Sequence, residues 1–182
     1  FPYTTLFRSN VDSASKSTTN VAKDADVTGT TYAEKDTNYP AKNAVDGKTV
    51  MESFWGTKGS ENKTDTLNIK FKDGKQKIDD IRLYFYQSSS SQTISGYAEP
   101  ANYKLEYQKD DGIWAPIADQ VRTPNYAGAN YNRIQFTPVE TTAIRATFTP
   151  QAGMAVGVKE IEAYNTGIKA DGTSENQAPQ VD

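Results

Sequence analysis

The sequence contains no cysteine and no histidine. Lacking cysteine, it has no disulfide framework, no zinc–thiolate site and no thiol nucleophile. Lacking histidine, it loses the commonest general base and the commonest transition-metal ligand, and Ser-His-Asp chemistry cannot be assembled. Carboxylates, Tyr, Lys and Arg are what remains for catalysis. An excess of charge is also missing. With 20 basic against 23 acidic residues the net charge is −3, which creates no long-range field for drawing in nucleic acid. No run approaches the ~20 apolar residues of a spanning helix, and no basic amphipathic stretch suits a membrane surface.

The chain has 182 residues, enough for one domain with a real core. Eleven Tyr, seven Phe and two Trp sit among many Thr, Ser, Asn and Gly. Aromatic and β-branched residues favour strands, while Gly, Asn and Asp favour turns. The composition therefore points to an all-β extracellular domain.

The two ends read differently from the middle. Residues 1–9, Phe-Pro-Tyr-Thr-Thr-Leu-Phe-Arg-Ser, equal the in-frame translation of a common sequencing-library adapter. They are set aside from fold reasoning, as any fusion scar is. The reading frame then comes from a sequenced DNA mixture (a metagenome), and the lack of a signal peptide says nothing about localisation. Residues 10–24 are small and polar, a linker into the first strand, and residues 166–182 are a second linker leading to a following module. A linker on each side suggests one unit of a multimodular protein.

Between residues 25 and 165 the dominant signal is alternation with a period of two. Leu67, Ile69 and Phe71 share one face of a strand, as do Ile81, Leu83 and Phe85, and as do Tyr103, Leu105 and Tyr107. Arg133–Phe136, Ala143–Phe148 and Val158–Tyr164 follow the same rule. Asp73-Gly74 marks one turn, and Asp110-Asp111-Gly112 joins two strands as a hairpin. No window of a dozen residues has helical periodicity. About eight short antiparallel strands, each with one apolar face, predict two sheets packed face to face.

Three segments, in order, resemble one family. They are Tyr39-Pro40-Ala41-Lys42-Asn43-Ala44-Val45-Asp46-Gly47, then Ala101 to Tyr107 followed by Asp111-Gly112-Ile113-Trp114, then Gly157-Val158-Lys159-Glu160-Ile161-Glu162-Ala163-Tyr164. They resemble the Pro/Ala/Asp-Gly turn, the Tyr-rich hairpin and the closing Glu-Ile-Glu strand of discoidin-like domains. These are the coagulation-factor 5/8 type C domains and their bacterial relatives, the family 32 carbohydrate-binding modules. The resemblance implies a galactose-binding-like jelly-roll sandwich with a structural Ca2+. It makes Asp46 and Glu160 the side-chain ligands, adds carbonyls from Asn43, Lys48 and Lys159, and leaves Ser53 or a neighbour to complete the shell. Calcium takes six to eight oxygens, and a turn can supply several carbonyls. Val50–Phe54 is longer than the family pattern at this point.

The same resemblance places the ligand on loops at one end of the sandwich. A sugar site needs an aromatic platform for C–H faces and planar groups for hydroxyls. The densest such loop is Arg122 to Tyr131. Tyr126 or Tyr97 is the expected platform, with Arg122 and Asn125 as hydroxyl partners and Tyr39, Gln87 and Tyr131 nearby. The expected function is a monomeric, non-catalytic module of a secreted bacterial enzyme, holding it on poly- or oligosaccharide. An alternative is a small polysaccharide lyase or glycosidase. A glycosidase needs two carboxylates across a cleft, whereas Asp79 and Asp80, as strand neighbours, point to opposite faces. A second alternative is a protein-binding adhesion domain.

Overall fold

A computed structural model describes residues 18–31, 38–88 and 94–168. The adapter-like segment 1–9, residues 10–17 of the first linker and residues 169–182 of the second lie outside the described residues. The strands are β1 (Asp26–Gly29), β2 (Trp55–Gly56), β3 (Asp65–Lys70), β4 (Gln76–Tyr86), β5 (Asn102–Gln108), β6 (Trp114–Pro116), β7 (Val121–Thr123), β8 (Tyr131–Thr141), β9 (Ala143–Thr149) and β10 (Gly157–Tyr164). One turn of 3-10 helix spans Ala41–Val45. The sheets run β1-β3-β9-β5-β6 and β2-β10-β4-β8-β7, and their ladders are antiparallel. The fold is the expected all-β sandwich. Ten strands replace the expected eight or so, because β2, β6 and β7 have only two or three residues, too few for a period to be read.

Alternation does place the core. Along β3, Leu67 and Ile69 are buried while Thr66 and Asn68 are half-exposed. Ile81, Leu83 and Phe85 of β4 meet Ile144, Ala146 and Phe148 of β9 in one apolar cluster. Each such side chain contributes roughly 1.5–3 kcal/mol by leaving water. Trp55 is fully buried and lies 6.0 Å from the Phe148 ring. The indole needs a glycine opposite it, since a β-carbon on Gly29 would stand 3.0 Å from its Nε1.

Two bulges break the period, one between Ile78 and Asp80 and one between Val158 and Glu160. A bulge re-aims side chains that alternation would fix. Asp79 and Asp80 are consequently both buried. Asp79 accepts from the Thr166 and Gly167 amides at 2.8 and 2.9 Å, and Asp80 accepts from Arg82 and Arg133. The described part of each polar linker is also built into the body. Val21 N–H donates to Ala163, Asn20 Oδ1 accepts from Ala22 and Ala163, and Ala22 is fully buried. Polar composition hid this, because the segment is held by a few hydrogen bonds and by small apolar residues, Val21 and Ala22, that show no strand period.

The connections 57–64 and 150–156 and the described residues 87–88 and 94–101 lie between the sheets at one end of the sandwich, beside the 124–130 hairpin between β7 and β8. They create a loop-built rim opposite the short turns at 71–75 and 109–113.

Candidate functional site

The Pro40-initiated 3-10 turn delivers Asp46, and Gly47 follows at φ +80°, a conformation suited to glycine. Asp46 Oδ1 accepts from Lys48 N–H at 2.9 Å, and Oδ2 accepts from the Ser53 hydroxyl. Asn43 donates its side-chain amide to the Phe54 carbonyl at 3.1 Å. Against this turn the β10 bulge presents Glu160, fully buried, with no hydrogen bond of normal geometry to either carboxylate oxygen. Burial first, and the nearby Asp46 carboxylate second, push the Glu160 carboxyl up to about 9, only partly offset by the Gly47 and Ile161 amides. The Lys159 ammonium is not its partner. It donates to Asn130 Oδ1 at 2.8 Å and is lowered in pKa by burial. Among the described residues no three acidic side chains cluster. A cation held here would have two carboxylates, Asp46 and Glu160, and would need its remaining oxygens from elsewhere, such as backbone carbonyls. An orphaned, buried carboxylate beside a second one, with oxygen donors only, fits a hard divalent ion such as Ca2+.

The residues predicted to hold sugar are not brought together as one site. Tyr97 is 3% exposed. It sits in an aromatic cluster where Phe54 stacks on Tyr86 at 4.0 Å and on Tyr39 at 4.5 Å, with Tyr97 edge-on to Phe54 and Tyr86. Tyr97 and Tyr39 thus support the rim from beneath. The connection holding Tyr97 folds back on itself, its N–H donating to Ser88 Oγ at 3.0 Å, which turns the ring inward. Arg122 is also committed. Its guanidinium lies 4.0 Å over the Tyr103 ring and donates to the Tyr103 carbonyl and to Gln120. Gln87 donates to Glu99 at 2.8 Å. Tyr131 is 41% exposed but belongs to β8, packed against Tyr84. Asn125 is exposed, and Tyr126, at 70% exposure, is the one expected platform left open to solvent. Its loop is fastened by Asn132, which accepts from Gly128 N–H at 2.7 Å and donates back to the Gly128 carbonyl.

The rim holds a different concavity. A cleft of about 450 Å³ opens between loops 57–63 and 150–155, lined by Lys58, Ser60, Asn62, Gln151 and Met154 among others. Its polar groups are fixed from behind. Lys58 Nζ donates to Ser95 O at 2.9 Å. Asn62 donates its side-chain amide to Thr30 O at 3.2 Å and Asp65 Oδ1 at 2.9 Å. Gln151 donates to Glu99 O at 3.0 Å. Thr57 closes the floor, its hydroxyl accepting from Val156 N–H at 2.8 Å. Lys58 has further N–H bonds to offer, and Asn62 and Gln151 each have an amide oxygen to accept, an array suited to a ring of hydroxyls. The apolar contact comes from Met154 and Ala155. Sequence reasoning passed over Lys58, Asn62, Gln151 and Met154 because none is aromatic. The signal available was the Gln151–Met154 run itself, standing just before the closing strand.

A two-layer antiparallel sandwich with a carboxylate-bearing edge turn and a polar cleft on its rim defines a carbohydrate-binding-module fold. The chain belongs to the F5/F8 type C family, whose NedA-like, galactose-binding domain model matches residues 43–146, more than half of the chain. Solved structures agree on the fold. A chain of Streptococcus pneumoniae β-galactosidase BgaA is similar at TM-score 0.67 and 15% identity, covering 80% of this chain and 98% of that one. The family 32 module of Clostridium perfringens NanJ, solved in complex with galactose, is similar at TM-score 0.58 and 18% identity, covering 76% and 92%. A Ruminococcus gnavus GH29 fucosidase, solved as a D221A mutant with fucose, is similar at TM-score 0.62 and 20% identity over 81% of this chain but only 27% of its own.

Proposed function

We propose that the protein is a non-catalytic carbohydrate-binding module whose glycan cleft lies between loops 57–63 and 150–155. The observation that carries this reading is the cleft itself: about 450 Å³, at the loop-built end, with Lys58, Asn62 and Gln151 held by backbone bonds. Preorganised polar groups reduce the ordering cost of binding. A shallow, mostly polar cleft of this kind predicts weak affinity for one or two sugar units. The galactose bound by the NanJ module makes galactose and galactosides the first ligands to try.

The non-catalytic reading draws on where the acids stand. Asp79 and Asp80 are consumed by structural bonds, and Glu106 is held by Arg145. None of the three is half of a carboxylate pair across a cleft. Asp46 and Glu160 serve Ca2+, with Ser53 orienting Asp46 and with carbonyls of Asn43, Lys48 and Lys159 completing the shell. Bound there, the ion would supply the charge that Glu160 lacks and pin the 40–48 turn to β10. The similar region makes up about a quarter of a fucosidase chain, which supports a module joined to a glycan-degrading enzyme and exported with it.

Isothermal titration with galactose, N-acetylgalactosamine and lactose tests the site. Lys58→Ala and Asn62→Ala are expected to weaken binding about tenfold each, a loss of about 1.4 kcal/mol. Unchanged affinity in both variants would move the site elsewhere, and product release from a glycoside would contradict the non-catalytic reading.

A further inference from the structure

The outward positions of a sandwich strand are usually small or polar. The outer face of the β10-β4-β8 sheet departs from that rule. Register places Tyr84 opposite Tyr131, Arg82 between Glu162 and Arg133, and Asp80 beside Tyr164. Three tyrosines and two arginines thus form consecutive rows on three adjacent central strands.

These side chains are locked to one another. The Tyr84 and Tyr131 rings lie 5.2 Å apart. The Arg82 guanidinium sits 4.4 Å over the Tyr164 ring and bonds Asp80 at 3.2 Å. Arg133 reaches the same Asp80 at 2.8 Å. The Tyr84 and Tyr164 hydroxyls are pushed up to about 12, by burial above all and by the nearby Glu162 carboxylate second, and stay protonated. The patch nevertheless remains open, with Tyr131 41% exposed and the arginines 27% and 31% exposed.

The chemistry of this patch selects its ligand. Two arginines balance Asp80 and Glu162, so the patch has no net charge to attract a polyanion. It offers a partly exposed ring pair, Tyr84 and Tyr131, with the Arg133 guanidinium and the Arg82 guanidinium stacked over Tyr164 in the rows beside it. Rings and planar donors in an already ordered array suit the C–H faces and hydroxyls of successive sugars. We propose that this sheet face is a second glycan-binding surface, which takes the extended chain of a neutral polysaccharide independently of the rim cleft. The inference shares with the proposed function only the assumption that the ligand is carbohydrate.

Native gel electrophoresis of the full chain through a galactan, a galactomannan and a mixed-linkage β-glucan tests it, alongside galactose titration of the same preparations. At least one polysaccharide is expected to retard the protein. Tyr131→Ala should weaken that retardation at least fivefold and leave galactose affinity unchanged, Tyr131→Phe should restore it, and Lys58→Ala should do the reverse. Tyr131 is exposed, so its truncation leaves the fold intact, and an unchanged melting temperature verifies this. The proposal is overturned if no polysaccharide retards the protein, if Tyr131→Ala migrates as the parent does, or if Lys58→Ala abolishes retardation altogether. Absence of galactose binding with retardation intact would instead remove the rim cleft and leave this surface standing.

Discussion

Glu160 and Asp46 face each other at the junction of β10 and the 40–48 turn, one carboxylate without a hydrogen bond and the other held by Lys48 N–H and the Ser53 hydroxyl. Burial and the nearby Asp46 carboxylate keep Glu160 protonated; ionising it there unpaired would cost several kcal/mol, so ionisation and burial are in conflict. If Ca2+ resolves this conflict, saturation at a hundred times its Kd adds ~2.7 kcal/mol, or about 5–10 °C in melting temperature for a domain of this size. Calorimetry with chelator and then with millimolar Ca2+ reads the shift directly. In Glu160→Gln the response to Ca2+ should vanish while the chelated protein melts no lower than the parent. Identical melting of the parent in chelator and in Ca2+ would refute the ion.

The Asp79 carboxylate closes the fold at its C-terminal edge. It accepts from Thr166 N–H, Thr166 Oγ1 and Gly167 N–H. Hydrogen bonds to a charged group contribute roughly 1.5–3 kcal/mol, and stranded buried donors add to the loss. Asp79→Ala is expected to lower unfolding free energy by about 3 kcal/mol in urea titration. A change under about 0.5 kcal/mol, the size of an ordinary surface effect, would mean that this anchor contributes nothing.

Gly56 and Tyr97 are sterically coupled. A β-carbon on Gly56 would collide with the Tyr97 hydroxyl and press on Phe54 at 3.2 Å. Overpacking of this kind costs roughly 1–3 kcal/mol. Gly56→Ala should therefore destabilise the protein by about 2 kcal/mol, and adding Tyr97→Phe should recover part of it. Simple additivity of the two substitutions would show that they do not touch.

Acid sensitivity is predicted at Glu106. Arg145 binds both of its oxygens at 3.1 Å, and this hydrogen bonding, more than the attraction of Arg145 and Lys104, holds the carboxyl below its ordinary 4.5 despite burial. A carboxyl lowered on folding stabilises the protein fully above the unfolded value, and that contribution fades as pH falls through the lower folded value. Glu106→Gln should flatten the fall in stability below about pH 4.5 and change little in its slope near neutrality. The Trp114 ring, 4.5 Å beneath Arg145, provides a fluorescence report. An acid limb identical to the parent's would contradict the assignment.

The fold was legible in the sequence because burial in a sandwich imposes a period of two, and Leu67/Ile69 or Ile81/Leu83/Phe85 display it openly. The edge turn was legible for another reason, since Asp46-Gly47 and the closing Glu160 strand are local patterns. Bulges were not, for one extra residue at Ile78/Asp80 or Val158/Glu160 leaves no mark on composition. The rim was read by aromatic content, and of the two expected platforms only Tyr126 is open to solvent. Tyr97 and Tyr39 are large rings that the fold uses to support loops, and Arg122 finds a ring of its own in Tyr103. The cleft's lining is set by how loops 57–63 and 150–155 meet, a long-range contact that no local pattern encodes.

The most direct test is amide chemical-shift mapping of isotopically labelled protein titrated with galactose and with a β-galactoside disaccharide. Shifts concentrated at Lys58, Asn62, Gln151 and Met154 are predicted, saturating with a single weak affinity. Shifts confined to Asn125–Asn130, or none at millimolar sugar, would contradict the account.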